Sequence, residues 1–133
     1  MSGYYAANPH YAAPDRSEDR ERQERAEETA LWYFQSATKL QKSAYDAAMA
    51  EAVRLSGDAF YSARDAADKA WRTDTAAARS LFDETVAEVL RTGEVSEETG
   101  DRWQEIEDTA EARARASAIM SSIDAAIDAI KAA

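Results

Sequence analysis

Residues 45–66 read YDAAMAEAVRLSGDAFYSARDA, and the fold turns on whether the helix they imply runs through Ser56-Gly57-Asp58. Glycine after an apolar stretch and before Asp is a stop-and-recap signal. Against it stands a register of eleven that passes the glycine without a slip. Rows of eleven from Tyr45 put Met49, Phe60, Trp71 and Phe82 in the fifth column, Ala48, Ala59, Ala70 and Leu81 in the fourth, and Tyr45, Ser56, Ala67 and Ala78 in the first. Eleven residues in three turns is about 3.67 per turn, close to the helix's own period, so the apolar stripe runs nearly straight. Gly57 falls in a polar column with Asp46, Asp68 and Arg79, where a continuous helix tolerates it at a cost of ~1 kcal/mol. A turn has no reason to preserve phase. The expectation is therefore all-α: one long helix over about 16–91, ~110 Å in length, with an antiparallel C-terminal helix over about 97–131. The alternative is a three-helix bundle broken at 56–58.

Upstream, residues 29–37 read TALWYFQSA. Leu31, Trp32, Tyr33 and Phe34 are consecutive, so on a helix they point in four directions and cannot all join one core face. A returning helix of ~35 residues covers only about half of a long helix of this size. The half left over holds these four residues with Leu40, Tyr45 and Met49. A soluble monomer rarely leaves such a stripe wet, so Leu31, Trp32, Tyr33 and Phe34 are the expected partner-binding residues. Before them, residues 15–28 interleave acids and arginines; Glu18–Arg22 and Glu21–Arg25 are i,i+4 pairs that suit a solvated helix start. Residues 1–14 hold Pro9 and Pro14, which deny backbone donors. They read as an extended Tyr-rich arm outside a single helical domain over 15–133. Tyr4, Tyr5 and Tyr11 are expected to pack on a neighbouring chain, because tyrosine combines apolar area with a polar tip.

Downstream, residues 89–96, VLRTGEVS, end one helix and start another. Arg91 suits a last turn, Gly93 a left-handed cap, and Ser96, Thr99 or Asp101 the next N-cap. The last helix carries Trp103, Ile106 and Ala110, then Ile119, Met120, Ile123, Ile127 and Ile130, and is expected to pack back along its predecessor. Residues 94–111 contain eight acids and one base, Arg102, which is −7 of the chain's −10. Glu97, Glu98, Asp101 and Glu105 form a candidate docking corner for a basic partner surface.

Composition narrows the function. Four glycines, two prolines and 32% charged residues fit an all-helical chain. The absence of cysteine excludes disulfides, thiol nucleophiles and Cys-ligated metals. The single histidine, His10, lies between Pro9 and Tyr11, without partners for a metal site. A net charge of −10 repels phosphate backbones and anionic headgroups, which disfavours nucleic acid. No apolar run approaches the ~20 residues of a membrane span. A basic n-region and apolar h-region are lacking, so a cytoplasmic location, or a protein particle assembled there, is expected. Phosphate loops, nucleophile elbows and the D-x-D-x-D-G calcium spacing are missing. The chain is therefore expected to be non-enzymatic, with no catalytic, cofactor-binding or metal residues.

The function expected is that of a structural or interaction subunit, assembling with itself as a homo-oligomer or into a larger complex such as a virion or other large particle. Two alternatives attach to particular residues. The eleven-residue amphipathic rows resemble those of phasins and apolipoprotein-like helices, which implies a coat on a lipid or polymer granule; here the flanks are acidic rather than Lys-rich. Tyr61–Asp65, YSARD, resembles the Tyr-x-x-x-Asp export signal of small helical type VII secretion substrates, although the Trp-x-Gly turn of that family is missing.

Overall fold

The computed structural model of the chain describes residues 16–133, and every regular element in that range is a helix. They are α1 (Arg16–Ala37), α2 (Lys39–Ala52), α3 (Asp58–Asp74), α4 (Ala76–Thr92) and α5 (Glu97–Ala132). The expected unbroken helix over 16–91 does not form. The chain leaves α2 through bonds from Arg54 N to Glu51 O and from Leu55 N to Ala52 O, the tighter i→i+3 pattern of a helix end. It then reverses at Gly57, whose φ of 61° and ψ of −138° lie in a region that only glycine enters cheaply. The energetic balance explains the turn. Continuing the helix would gain a few backbone hydrogen bonds of ~1 kcal/mol each. Turning back half-buries Phe34, Tyr45, Trp71 and Phe82, each worth a part of the ~1.5–3 kcal/mol of full burial, and fully buries Leu81. Burial wins, and the eleven-residue register survives the turn because both limbs present the same kind of stripe to each other.

The limbs run antiparallel. Arg22 Nη2 donates to Leu90 O at 2.9 Å, the Phe34 and Phe82 rings lie 6.2 Å apart, and those of Tyr45 and Trp71 lie 5.8 Å apart. As one partner number rises the other falls. α1 lies against α4, and α2 against α3. Each limb is interrupted once, where the backbone leaves helical values at Thr38 (φ −110°, ψ 18°) and Thr75 (φ −104°, ψ 9°). Thr38 separates α1 from α2 and donates its hydroxyl to Phe34 O at 2.7 Å; Thr75 separates α3 from α4 and donates to Trp71 O at 2.6 Å. Both threonines are buried. Such back-bonding from Thr to the carbonyl four residues earlier bends helices. The aromatic pairs on either side put the two kinks at one level to within about a turn.

Most of the buried apolar side chains are alanines: Ala26, Ala30, Ala37, Ala52, Ala67 and Ala78. Their small size lets the helix backbones approach closely. Among the described residues Leu81 and Trp103 are the only large apolar side chains fully inside, and with Ala37 and Ala78 they form a cluster backed by Tyr33, Phe34, Phe82 and Ile106. That cluster sits at the kink, where α5 joins the limbs.

α5 departs from the expected packing. Its first half docks on α1, α4 and α2, but every residue from Glu111 to Ala133 is exposed. α4 has 17 residues and α5 has 36, so α5 runs ~28 Å past the span of α4. Beside the contact of α5 with α2 lies an open cleft of about 660 Å³ whose walls include Leu40, Ala44, Ala77 and Ala110.

Candidate interaction surfaces

The stretch from Leu31 to Phe34 divides in two. Tyr33 and Phe34 are half-buried. Tyr33 stacks on Trp103 with centroids 6.1 Å apart, and Phe34 meets Trp71 and Phe82 edge-on at 6.3 and 6.2 Å. Trp32 is 63% exposed and Leu31 43%. Trp32 is nonetheless braced, because its ring meets Tyr33 edge-on at 5.0 Å, a geometry that aromatic quadrupoles favour. Of the four expected contact residues, two therefore serve the interior and two face outward. The rest of the supposedly bare half is also partly covered: Tyr45 rests on Trp71 and donates its hydroxyl to Asp68 Oδ1 at 3.0 Å. That bond, with desolvation and the Asp68 charge, raises the Tyr45 pKa. Tyr4, Tyr5, Tyr11 and the arm that carries them lie outside the described residues.

The joint between α4 and α5 is built from short polar side chains. Ser96 caps α5, its Oγ accepting from Thr99 N at 3.2 Å. The Glu88 carboxylate accepts from Ser96 N at 2.8 Å, Ser96 Oγ at 3.1 Å and Thr99 Oγ1 at 3.0 Å. These donors, the Ser96 backbone N–H foremost, hold the Glu88 pKa below the usual carboxylate range. One turn earlier Arg102 clamps Glu84 through two bonds of 3.0 Å, which lowers the Glu84 pKa and raises that of Arg102. The indole N–H of Trp103 donates to Thr85 Oγ1 at 2.9 Å, and Thr85 donates in turn to Leu81 O at 2.7 Å. Every polar atom of this inner chain has a partner, so the direction in which α5 leaves the core is fixed.

The acidic corner lies on the same helix start. Glu97, Glu98, Asp101 and Glu105 are all exposed, and the one arginine among them is already bound to Glu84. Among the described residues no group of three or more His, Cys, Asp or Glu could hold a metal ion, and no helix is long and apolar enough to cross a membrane. Tyr61 and Asp65 are also exposed, with the Arg64 guanidinium 5.0 Å from the Tyr61 ring.

One uncovered apolar surface lies where the sequence leads one to expect internal packing. Ile119, Met120, Ile123, Ile127 and Ile130 are between 43% and 75% exposed on the outer half of α5. A signal for this was present in the helical phase. At 3.6 residues per turn, the mean direction of Ile119, Ile123, Ile127 and Ile130 is rotated by ~140° from that of Trp103, Ile106 and Ala110. One straight helix cannot turn both groups toward the same neighbour. No family model, curated protein or solved structure matches the chain, and the functional reading rests on these surfaces alone.

Proposed function

We propose that this protein is a non-enzymatic helical subunit that assembles with copies of itself, or within a larger protein particle, through apolar surfaces held on fixed helices. The observation that carries this reading is the apolar outer face of α5, from Ile119 to Ile130, uncovered on a helix whose base is locked by Trp103 and the Glu88 cap. Contiguous exposed apolar patches on a soluble chain mark contact sites. A second, separate surface at Leu31 and Trp32 gives the subunit two points of attachment, which is what assembly beyond a dimer requires. The Tyr-rich arm extends the same N-terminal surface in this reading, and the acidic corner at Glu97, Glu98, Asp101 and Glu105 meets a basic partner face. The coat reading is weaker, because Trp71 and Phe82, the largest residues of its stripe, contact Phe34 and Tyr45 and are engaged inside the folded chain.

Sedimentation velocity over a wide concentration range tests the self-assembly version. Species larger than the monomer should grow with concentration, and Trp32→Ala should shift them toward smaller ones while circular dichroism stays unchanged. As a buried anchor Trp32 is worth ~2–4 kcal/mol of association. A compact monomer at tens of micromolar, with no partner required, rules that version out.

A further inference from the structure

We infer that the outer half of α5 is a two-fold pairing element, in which residues 111–132 of one copy lie antiparallel against the same residues of a second copy. This rests on the assembly reading above, and it names one surface and its occupant.

Three observations single out a second copy. The first is spacing. Ala112, Ala116, Ile119, Ile123, Ala126 and Ile130 alternate steps of four and three, the seam of a coiled coil. The spacing is also symmetric about the level of Ser121. An antiparallel partner sets Ala112 against Ile130, Ala116 against Ala126 and Ile119 against Ile123. Large residues thus meet small ones at the ends and large ones at the centre. One patch then serves both copies, as a two-fold interface demands.

The second observation is charge. The chain carries −10, yet residues 111–132 hold three acids (Glu111, Asp124, Asp128) and three bases (Arg113, Arg115, Lys131) and are neutral. Two copies can approach here without the repulsion that the rest of the chain imposes. Antiparallel pairing runs the half with Arg113 and Arg115 beside the half with Asp124 and Asp128. Parallel pairing would set like against like, and would also bring together the exposed acids Glu97, Glu98, Asp101 and Glu105 of both copies. In the antiparallel pair these acids sit ~60 Å apart, many times the screening length of ~8–10 Å.

The third observation is direction. The seam is rotated away from the side of α5 that docks on its own core, so pairing needs no rearrangement of α1–α4. The paired segment is ~33 Å long, and a two-helix contact of that length buries on the order of 1,000 Å², the lower bound for a specific interface. The expected dissociation constant is therefore micromolar rather than nanomolar.

Cysteine placement in the full chain decides the matter, because the native sequence has none. Met120→Cys lies on the flank of the seam one residue from the axis, which brings it close to its own copy, and should give a disulfide-linked dimer under mild oxidation. Ile130→Cys faces Ala112 and should not. Sedimentation of the Ile119→Glu, Ile123→Glu double variant should show the dimer constant raised at least tenfold, with helicity by circular dichroism retained. Efficient cross-linking through Ile130→Cys, or none through Met120→Cys, overturns the antiparallel pair. Assembly that persists in the double variant but is lost in Trp32→Ala overturns this placement and leaves the assembly reading standing. A chain that is monomeric at every concentration refutes this pairing and the self-assembly version together.

Discussion

Trp103→Ala should release α5 from the rest of the protein. Trp103 is 3% exposed, stacks on Tyr33 of α1 and donates to Thr85 of α4, so one side chain ties three helices together. Truncating a buried aromatic costs ~3–5 kcal/mol in transfer and cavity terms, and the lost indole bond is ~1 kcal/mol of that range. The other ties at the joint are weaker: Ile106 is only half-buried, and the Arg102–Glu84 clamp is exposed and therefore screened. Against a typical domain stability of 5–15 kcal/mol, the loss is about a fifth or more, or ~10–25 °C in Tm. Urea denaturation followed by far-ultraviolet circular dichroism measures it. The control is built into the chain: Trp32 is 63% exposed, so Trp32→Ala should cost under ~1 kcal/mol. Trp103→Phe, which keeps most of the ring and loses the bond, should fall between them at ~1–2 kcal/mol. If the two alanine substitutions cost the same within ~0.5 kcal/mol, Trp103 does not anchor α5 and the reasoning fails.

Other outcomes follow from the same contacts. Thr85→Val leaves the buried Trp103 indole N–H without an acceptor and should cost ~1–3 kcal/mol, read from the same urea curves. The Glu88 carboxyl titrates below its unfolded value, so its contribution is present above the ordinary glutamate range and is lost as pH falls through the folded pKa. Thermal melts should therefore show Glu88→Gln less stable than the parent chain at neutral pH, with the difference closing in strong acid. Gly57→Ala must hold φ near 61° with open space around the new Cβ, so only backbone strain opposes it, at ~1–3 kcal/mol. Gly100→Ala, inside α5 and equally unobstructed, should stabilise by ~0.5–1 kcal/mol.

The parts of the fold legible in the sequence are those set by local chemistry. Gly93 takes a φ of 89° as the C-cap of α4, and Ser96 caps α5 with its side chain, both at positions whose residue types announce those roles. The reversal at Gly57 was harder to read, because its local signal competed with an unbroken eleven-residue register. What decided it is the long-range contact of Phe34 and Tyr45 with Trp71, which no window around Gly57 contains. The kinks at Thr38 and Thr75 have almost no sequence signature, since threonine occurs inside straight helices as well. Of the candidate contact residues, the Leu31–Phe34 run was recognisable as too much for one face. Which two of the four turn inward depends on where Trp103 and Trp71 arrive from other helices. The bare outer half of α5 is not legible in the same way, because apolar spacing reports a face and not what lies against it. Only the helical phase relative to Trp103 carried that information.

Hydrogen exchange of the full chain at two protein concentrations tests the central claim most directly. At low concentration the amides of residues 111–132 should exchange as an unsupported helix, orders of magnitude faster than those near Leu81 and Trp103. At high concentration their protection should rise while that of the core stays constant. Equal protection of residues 111–132 and the core at the lowest concentration would mean that α5 packs along its whole length on its own chain, and the account would be wrong.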